Sequence, residues 1–223
     1  MKYVWDLTNK KTYNNRVGHY KFKQQFRFVA RYADNIKSYL DIAGGSGRFA
    51  IPLHQQIPEI TVLDINEEAL SILKERDRFI EIICDDFMNV PFSQTYPLII
   101  CIEALFYFQN WDIFFSKINS LLSDKGRFVF SFTNTGSWRY ILRRFRHRNR
   151  EPLAYTEKSL KELKVILSSC GLEIDCVEGM NWMPLPLSSN SIFVYVFEFI
   201  EKHLKLNRWI SQSPWLMISV KKK

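Results

Sequence analysis

Strand-like and helix-like segments alternate through the middle of this 223-residue chain, and this alternation restricts the fold more than any other feature. Several short runs, such as Leu98 to Ile102, are apolar at every position. A strand with one solvated face would instead alternate apolar and polar residues. Between these runs, stretches such as Trp111 to Leu122 carry apolar residues at helical spacing. The pattern predicts a parallel sheet covered by helices on both faces, a doubly wound α/β sandwich.

The predicted elements extend over most of the chain. Strands are predicted at 38–43, 60–65, 79–84, 98–102 and 127–132, with helices at 48–56, 67–76 and 111–122. A helix over 20–37 precedes them, and a basic helix over 138–150, a helix over 156–170, a strand over 172–177, a helix over 192–206 and a last strand over 215–220 follow. Since 47% of the residues are hydrophobic, we expect one well-filled core and a single domain over 1–223.

The positive charge of the chain is concentrated in two short segments. The formal net charge is +8, from 31 Lys and Arg residues against 23 Asp and Glu residues. Six arginines without an acidic residue lie between Arg139 and Arg150, and three lysines end the chain at 221–223, so the remainder is close to neutral. This distribution argues against a uniformly basic surface that binds nucleic acid.

The spacing of the cysteines and the hydropathy pattern indicate the cellular compartment of the protein. Its four cysteines have no C-x-x-C spacing, so we expect neither a disulfide framework nor a metal site. The first eleven residues lack the apolar core of a signal peptide, and no run approaches the roughly 18 apolar residues of a membrane span. We therefore expect a cytoplasmic protein without a transmembrane anchor.

A glycine-rich turn, Gly44-Gly45-Ser46-Gly47, follows the first predicted strand and precedes a helix. Glycine lets a ligand approach the backbone, and a helix N-terminus attracts negative charge. Asp64 ends the next strand, where a carboxylate can accept both hydroxyls of a ribose. These features predict a cofactor of the adenosine type. Because Gly45, Gly47 and Ala50 also match the dinucleotide fingerprint, a nicotinamide-dependent oxidoreductase stays open at this point.

Residues at the ends of the other strands add detail to this site. Asp41 precedes the glycines, Asp85-Asp86-Phe87 follows the third strand, and Ile102-Glu103-Ala104 ends the fourth. With these residues the sequence resembles the class I S-adenosylmethionine-dependent methyltransferases over about 38–132. Their first motif stands here as residues 41–47, with Ala43 in place of the first glycine. Ala43 fits this position if its φ stays negative.

The resemblance implies a Rossmann-like methyltransferase fold with a doubly wound, mostly parallel, seven-stranded sheet. It divides the chain into an N-terminal helical lid (1–37), a cofactor-binding core (38–135) and a third part (136–223). The third part would contain an insert after the fifth strand, which covers the acceptor, and the C-terminal strands.

The resemblance also implies S-adenosylmethionine as the cofactor and S-adenosylhomocysteine as the product. Asp41 would organise the loop that holds the methionine amino group, while Asp64 would bind the ribose and Asp86 the adenine amino group. Ile65 and Phe87 would flank the adenine ring. The cofactor-binding residues expected are Asp41, Ala43, Gly44, Gly45, Gly47, Asp64, Ile65, Asp86, Phe87 and Ile102.

Two residues are candidates for catalysis. Glu103 is the first candidate for a general base because it ends the fourth strand, where the methyl group would be presented. Alternatively, its carboxylate supports the cofactor amino group or a loop. His19 is the second candidate, since it lies in the N-terminal lid, and its alternative is an exposed loop histidine.

The acceptor is the least constrained part of the prediction. The basic amphipathic insert suits a phosphate or carboxylate, because arginine binds both through paired hydrogen bonds. We expect Tyr20, Trp138, Arg143 and Arg144 to contact the acceptor. The first expectation is a small molecule with an oxygen or nitrogen nucleophile, such as an anionic or sugar-type metabolite.

Other acceptors and functions stay open. The aromatic segment 192–200 raises the option of a lipid or quinone-like acceptor and of peripheral contact with a membrane surface, and its alternative is a lid helix packed against the sheet and the insert. Nucleic acid ranks last. A solvated basic helix face without a ligand is the alternative explanation of the arginines. A cofactor-binding protein without transfer activity is a further alternative, and the sequence indicates no oligomeric state.

Overall fold

Strands and helices alternate in the computed structural model, which describes residues 13–146 and 158–223. The described strands are β1 (Ser38–Ile42), β2 (Glu59–Asp64), β3 (Glu81–Cys84), β4 (Tyr96–Cys101), β5 (Leu122–Thr133), β6 (Leu172–Met180) and β7 (Trp215–Lys222). The described α-helices are α1 (Arg16–Ala30), α2 (Ala50–Leu53), α3 (Glu67–Arg76), α4 (Trp111–Leu121), α5 (Trp138–Arg146), α6 (Leu160–Ser169) and α7 (Phe193–His203). Short 3-10 turns occur at Leu105–Tyr107 and Leu206–Arg208.

The seven strands form one sheet in the order β3-β2-β1-β4-β5-β7-β6. Strands β1 to β5 run parallel, whereas β7 is antiparallel to both of its neighbours, β5 and β6. The predicted doubly wound, mostly parallel, seven-stranded sheet is therefore confirmed. The carboxyl ends of β1 to β5 share one edge, which we call the carboxyl edge. Because Trp215 pairs with both Thr133 and Met180, residues 181–214 begin and end at this edge as well.

The sheet is buried on both faces by separate hydrophobic clusters. In β4, Leu98 and Ile100 belong to the cluster that also contains Phe28 and Val29 of α1. Ile99 and Cys101 belong to the other cluster, which contains residues of α4 and α6. This arrangement explains why the strand is apolar at every position.

Local interactions set several boundaries differently from the sequence prediction. Helix α1 begins earlier than predicted because the Asn15 side chain accepts the Gly18 N–H at 2.9 Å and caps the helix. Helix α6 begins at Leu160, not at Thr156, because Ser159 and Glu162 form a reciprocal capping box. The part of the predicted basic helix beyond Arg146 lies outside the described residues. Among the described helices, none has the length and hydrophobicity needed to cross a bilayer.

Candidate functional site

The glycine-rich loop leaves β1 at the carboxyl edge and turns sharply. Ala43, Gly45 and Gly47 have φ values of 58°, 54° and 82°, all in the left-handed region. A Cβ atom on Gly47 would lie 2.4 Å from Leu73 Cδ1, and one on Gly44 would lie 2.7 Å from Val62 Cγ1. The loop is therefore pressed against β2 and α3. Ala43 therefore does not meet the condition of a negative φ under which alanine fits this position, and its left-handed φ costs about 1 kcal/mol for a side chain.

Asp64, at the end of β2, holds this loop. Its Oδ2 accepts the Gly45 N–H at 2.9 Å, and its Oδ1 accepts the Asn66 N–H at 2.9 Å. Burial raises the pKa of Asp64, and these backbone hydrogen bonds oppose the rise. Since a carboxylate oxygen can accept more than one hydrogen bond, Asp64 retains capacity for ligand hydroxyls.

Asp41, in β1, lies beneath the same loop. Its side chain is buried, and its Oδ2 has no hydrogen-bond partner among the residues that the structure describes. Burial raises the pKa of Asp41 to about 8, although the charge of Arg48 opposes this rise. A buried carboxylate oxygen without a donor is costly, so this position favours a ligand that brings a positive donor.

The residues expected around an adenine ring are not all brought together. Ile65 is 73% exposed beside the loop, and Asp86 is exposed, with its Oδ1 accepting the Met88 N–H at 2.8 Å. Phe87 is only 1% exposed, and its ring packs 5.4 Å from that of Phe114 in the core. The structure therefore does not place Phe87 opposite Ile65, because burial in the aromatic cluster satisfies its ring. Ile102 is buried at the end of β4.

Glu103 follows β4 and collects polar groups from two other elements. Its carboxylate accepts hydrogen bonds from Lys21 Nζ at 2.9 Å, Gln25 Nε2 at 2.6 Å and Tyr13 Oη at 3.1 Å. Arg48, from the glycine loop, lies 3.4 Å away. Glu103 itself has a φ of 62°, and its N–H donates to Ser131 Oγ at 2.6 Å. We call Glu103 and the four side chains that contact its carboxylate the Glu103 cluster. It joins α1, the segment before α1 and the end of the glycine loop to the residue that follows β4.

The surroundings of Glu103 do not fit a general base. Burial on its own would raise the pKa of this carboxyl, but the charges of Lys21 and Arg48 and the hydrogen bonds lower it to about 2. A general base needs a pKa nearer the working pH and an oxygen free to take the proton. Both oxygens of Glu103 are engaged, so its alternative role, support of a loop, matches the geometry.

The sequence prediction missed Lys21 and Gln25. Both are buried on α1, together with Val17 and Phe28. Polar residues that share a helix face with apolar ones were the available signal. Their partner Glu103 lies 82 and 78 residues away in sequence, so spacing alone could not pair them.

His19 and Tyr20 do not reach the Glu103 cluster. His19 is exposed and lines a cavity of about 600 Å³ between α1 and α7, away from the glycine loop. Tyr20 is buried, and its hydroxyl donates a hydrogen bond to the Glu201 carboxylate. Burial raises the pKa of Tyr20 well above its usual value. The expected contact between Tyr20 and an acceptor is therefore not supported, because this side chain packs α1 against α7.

The basic segment after β5 is less uniform than its sequence indicates. Arg139 is half-buried, and its guanidinium donates to the carbonyl oxygens of Met183 at 3.0 Å and Leu185 at 3.1 Å. It therefore fixes the loop after β6 and is not a free surface cation. Trp138 is half-buried at the start of α5. Arg143 and Arg144 lie on α5, but their side chains are outside the described part of the structure.

The C-terminal lysines are also part of the folded sheet. Lys221 and Lys222 belong to β7, and Lys221 Nζ lies 3.2 Å from Glu173 Oε1 on β6. Lys223 Nζ donates to Ser168 Oγ at 2.6 Å. The expected second basic patch is therefore partly neutralised.

Comparisons with known proteins agree with this geometry. A family model described as "Methyltransferase domain" matches residues 16–177. No curated protein sequence matches the chain. Among solved structures, the N-methyltransferase NodS from Bradyrhizobium japonicum WM9, in complex with S-adenosyl-L-homocysteine, is 14% identical with a TM-score of 0.65, covering 98% of this chain and 91% of that one.

Two further solved structures have the same fold. The magnesium protoporphyrin IX methyltransferase from Synechocystis PCC 6803 with bound SAH is 14% identical, with a TM-score of 0.64 and coverage of 100% of this chain and 90% of that one. An S-adenosylmethionine-dependent methyltransferase from Mesorhizobium loti is 18% identical, with a TM-score of 0.64 and coverage of 88% and 95%.

Proposed function

Because the chain belongs to the methyltransferase domain family, we propose that it transfers a methyl group from S-adenosylmethionine to an oxygen or nitrogen nucleophile of a small molecule. The family match agrees with the resemblance found in the sequence and disfavours a nicotinamide-dependent oxidoreductase. One observation carries the choice of cofactor: the buried Asp41 Oδ2, which has no hydrogen-bond partner among the described residues, lies beneath the glycine loop.

The residues at the carboxyl edge fit S-adenosylmethionine. The positive amino group of its methionine part would supply the donor that Asp41 lacks. Gly45 and Gly47 would let the ligand pass close to the backbone, and Asp64 would accept the ribose hydroxyls. Ile65 and Asp86, which follow β2 and β3, are exposed, and we expect them to contact the adenine.

When bound, S-adenosylmethionine supplies a methyl group already activated by a sulfonium. The residues of this chain then have to align the acceptor and exclude water. We expect the Glu103 cluster to serve both tasks, because it ties α1 and Arg48 to the residue that follows β4. With a pKa of about 2, Glu103 does not take up a proton at neutral pH. We therefore infer a nucleophile that needs no base from Glu103, such as a neutral amine or an oxygen that is already ionised.

The segment after β5 favours an anionic acceptor. Helix α5 leaves β5 at the carboxyl edge, so Trp138, Arg143 and Arg144 would be near an acceptor on that side. Arginine side chains would pair with its phosphate or carboxylate groups. We also propose a cytoplasmic location, which the four free cysteines of the structure support.

Two measurements test this proposal. Calorimetry should show binding of S-adenosylhomocysteine but not of NAD(H), and Asp41→Asn should weaken that binding. Incubation of the protein and labelled S-adenosylmethionine with a metabolite extract should then transfer the label to an acceptor, which mass spectrometry would identify. Binding of NAD(H) alone would overturn the cofactor assignment. Cofactor binding without any label transfer, in extracts that support other methyltransferases, would identify a binding protein without transfer activity.

A further inference from the structure

Helix α7 has most of its large apolar side chains on the solvent side. Its inward face carries Val194 and Glu201, which are buried, whereas the outward face is formed by large apolar residues. We call this outward face the α7 outer face; it consists of Ile192 (67% exposed), Phe193 (60%), Val196 (51%), Phe199 (60%), Ile200 (38%) and Leu204 (61%). In an ordinary surface helix the two faces are reversed, because the apolar stripe turns towards the core.

The orientation of α7 is fixed by the contacts of its inward face. The Glu201 carboxylate accepts the hydrogen bond of the buried Tyr20 hydroxyl, and Glu198 Oε1 lies 2.6 Å from Lys23 Nζ. Val194 packs in a small cluster with Val17, Tyr20 and Met183. Rotation of α7 to bury its apolar stripe would break these contacts and leave the buried Glu201 unpartnered. These contacts therefore keep the α7 outer face exposed to solvent.

Charge at the end of α7 indicates the kind of partner. Lys202, Lys205 and Arg208 are exposed next to the apolar stripe, and none has an ion pair with a described residue. From residue 181 to the C-terminus the sequence contains only two acids, Glu198 and Glu201, and α1 engages both, through Lys23 and Tyr20. The exposed charges beside the apolar face that have no ion pair with a described residue are therefore all cationic, which is complementary to an apolar surface bordered by negative charge.

We propose that the α7 outer face docks onto an anionic lipid bilayer. The apolar side chains would enter the boundary between headgroups and acyl chains, and the three basic residues would contact negative headgroups. Trp209, which is 60% exposed beside Arg208, has the amphipathic ring that is enriched at such an interface. A second copy of the chain on a two-fold axis fits less well, because it would bring two sets of like charges together.

Docking at this face would bring the carboxyl edge of the sheet towards the membrane. Residues 181–214 leave and re-enter the sheet at the carboxyl edge, where the glycine loop and the Glu103 cluster also lie. If the chain methylates an acceptor there, an acceptor dissolved in the bilayer would reach it directly. This consequence rests on the proposed function, whereas docking itself does not.

Co-sedimentation of the full chain with vesicles tests the docking without reference to activity. We expect binding to vesicles made of equal amounts of phosphatidylcholine and phosphatidylglycerol, and much weaker binding to pure phosphatidylcholine. Phe193→Glu combined with Phe199→Glu should abolish this binding. The matched control is Phe79→Glu, because Phe79 is 74% exposed but precedes β3 at the other edge of the sheet. Phe199→Ala is a milder change that should still weaken binding.

A second set of variants tests the charges. Replacing Lys202, Lys205 and Arg208 with Gln should weaken binding at least about tenfold and reduce its dependence on salt. The same number of charges removed at Lys37, Lys125 and Lys161, which are exposed elsewhere, should have a much smaller effect. Equal losses from both sets, or binding that survives Phe199→Ala and the double variant, would overturn the proposal. A dimer in lipid-free solution that the double variant dissociates would overturn it too, because a second copy would then cover this face.

Discussion

Lys21 Nζ lies 2.9 Å from Glu103 Oε2, and this buried ion pair ties helix α1 to the end of β4. The two side chains are only 6% and 11% exposed. Arg48 adds a second cation from the glycine loop. Helix α1, which precedes the sheet in sequence, is thereby fixed at the carboxyl edge and is coupled to the glycine loop through Arg48.

Removal of one partner of this pair should destabilise the protein strongly. Lys21→Met leaves Glu103 buried with one cation fewer, and we expect a loss of about 3 kcal/mol in the free energy of unfolding. Lys23→Met is the control on the same helix, since the side chain of Lys23 is 71% exposed in its pair with Glu198 and should contribute less than about 1 kcal/mol. Urea unfolding measures both. Equal effects would show that the Lys21–Glu103 pair does not stabilise the attachment of α1 to the end of β4.

The same cluster predicts how the free energy of unfolding depends on pH in the acidic range. The pKa of Glu103 is lowered from 4.5 to about 2 in the folded protein, so its contribution is complete above pH 4.5 and is lost as the pH falls towards 2. Unfolding followed from pH 6 down to pH 2 should show this decline. Glu103→Gln should be less stable at pH 6 but should lose less on acidification. A parallel decline in both proteins would contradict the low pKa.

The raised pKa of Asp41 predicts the opposite dependence of stability on pH. It also predicts that the affinity for the cofactor depends on pH. Its folded pKa is raised from 3.8 to about 8, so the ligand-free protein should lose stability as the pH rises through this interval. A cationic amino group favours the ionised carboxylate. Binding of S-adenosylhomocysteine should therefore tighten by up to about tenfold per pH unit between pH 6 and 8 and release a proton. Calorimetry in buffers of different ionisation enthalpy measures the proton, and Asp41→Asn should remove both effects. Affinity that is independent of pH in the unaltered protein would refute this role.

Asp64 should contribute to cofactor binding because each of its carboxylate oxygens can accept a second hydrogen bond. Asp64→Asn keeps one acceptor oxygen but loses the charge, and we expect affinity for S-adenosylhomocysteine to fall by about 2 kcal/mol. Asp124→Asn, at an exposed acid far along the chain in β5, serves as the control. If the two variants bind the ligand equally well, Asp64 is only a support for the Gly45 and Asn66 N–H groups.

Ala43 should tolerate glycine unusually well. Its φ of 58° costs an alanine about 1 kcal/mol, and glycine removes this strain while adding about 0.5–1 kcal/mol of unfolded-state entropy. We expect Ala43→Gly to be neutral or slightly stabilising in thermal unfolding. Ala50→Gly, at the start of α2, should instead destabilise by about 1 kcal/mol. Equal destabilisation by the two changes would rule out strain at Ala43.

The architecture was predictable because its signals are local. Runs such as Leu98 to Ile102 are apolar on both faces, and the structure buries them between two clusters. Helix α3 has its predicted bounds, since Asn66 caps it and its apolar residues repeat at helical spacing. The glycine loop was predictable from the three glycines that follow the first strand. The sign of φ at Ala43 was not predictable, because it depends on how the loop packs against β2 and α3.

The sequence by itself determined the sheet, the glycine loop and the strand-end acids, because each depends on residues that are near one another in the chain. Only the tertiary structure decided that Lys21 and Gln25 bind Glu103. It also decided that the Tyr20 hydroxyl donates its hydrogen bond to Glu201 and that Arg139 binds the loop after β6. It also decided that α7 turns its apolar residues outward. These contacts join residues that are far apart in sequence. The pKa and the exposure that distinguish a general base from a structural carboxylate, as at Glu103, arise only when those residues are packed together.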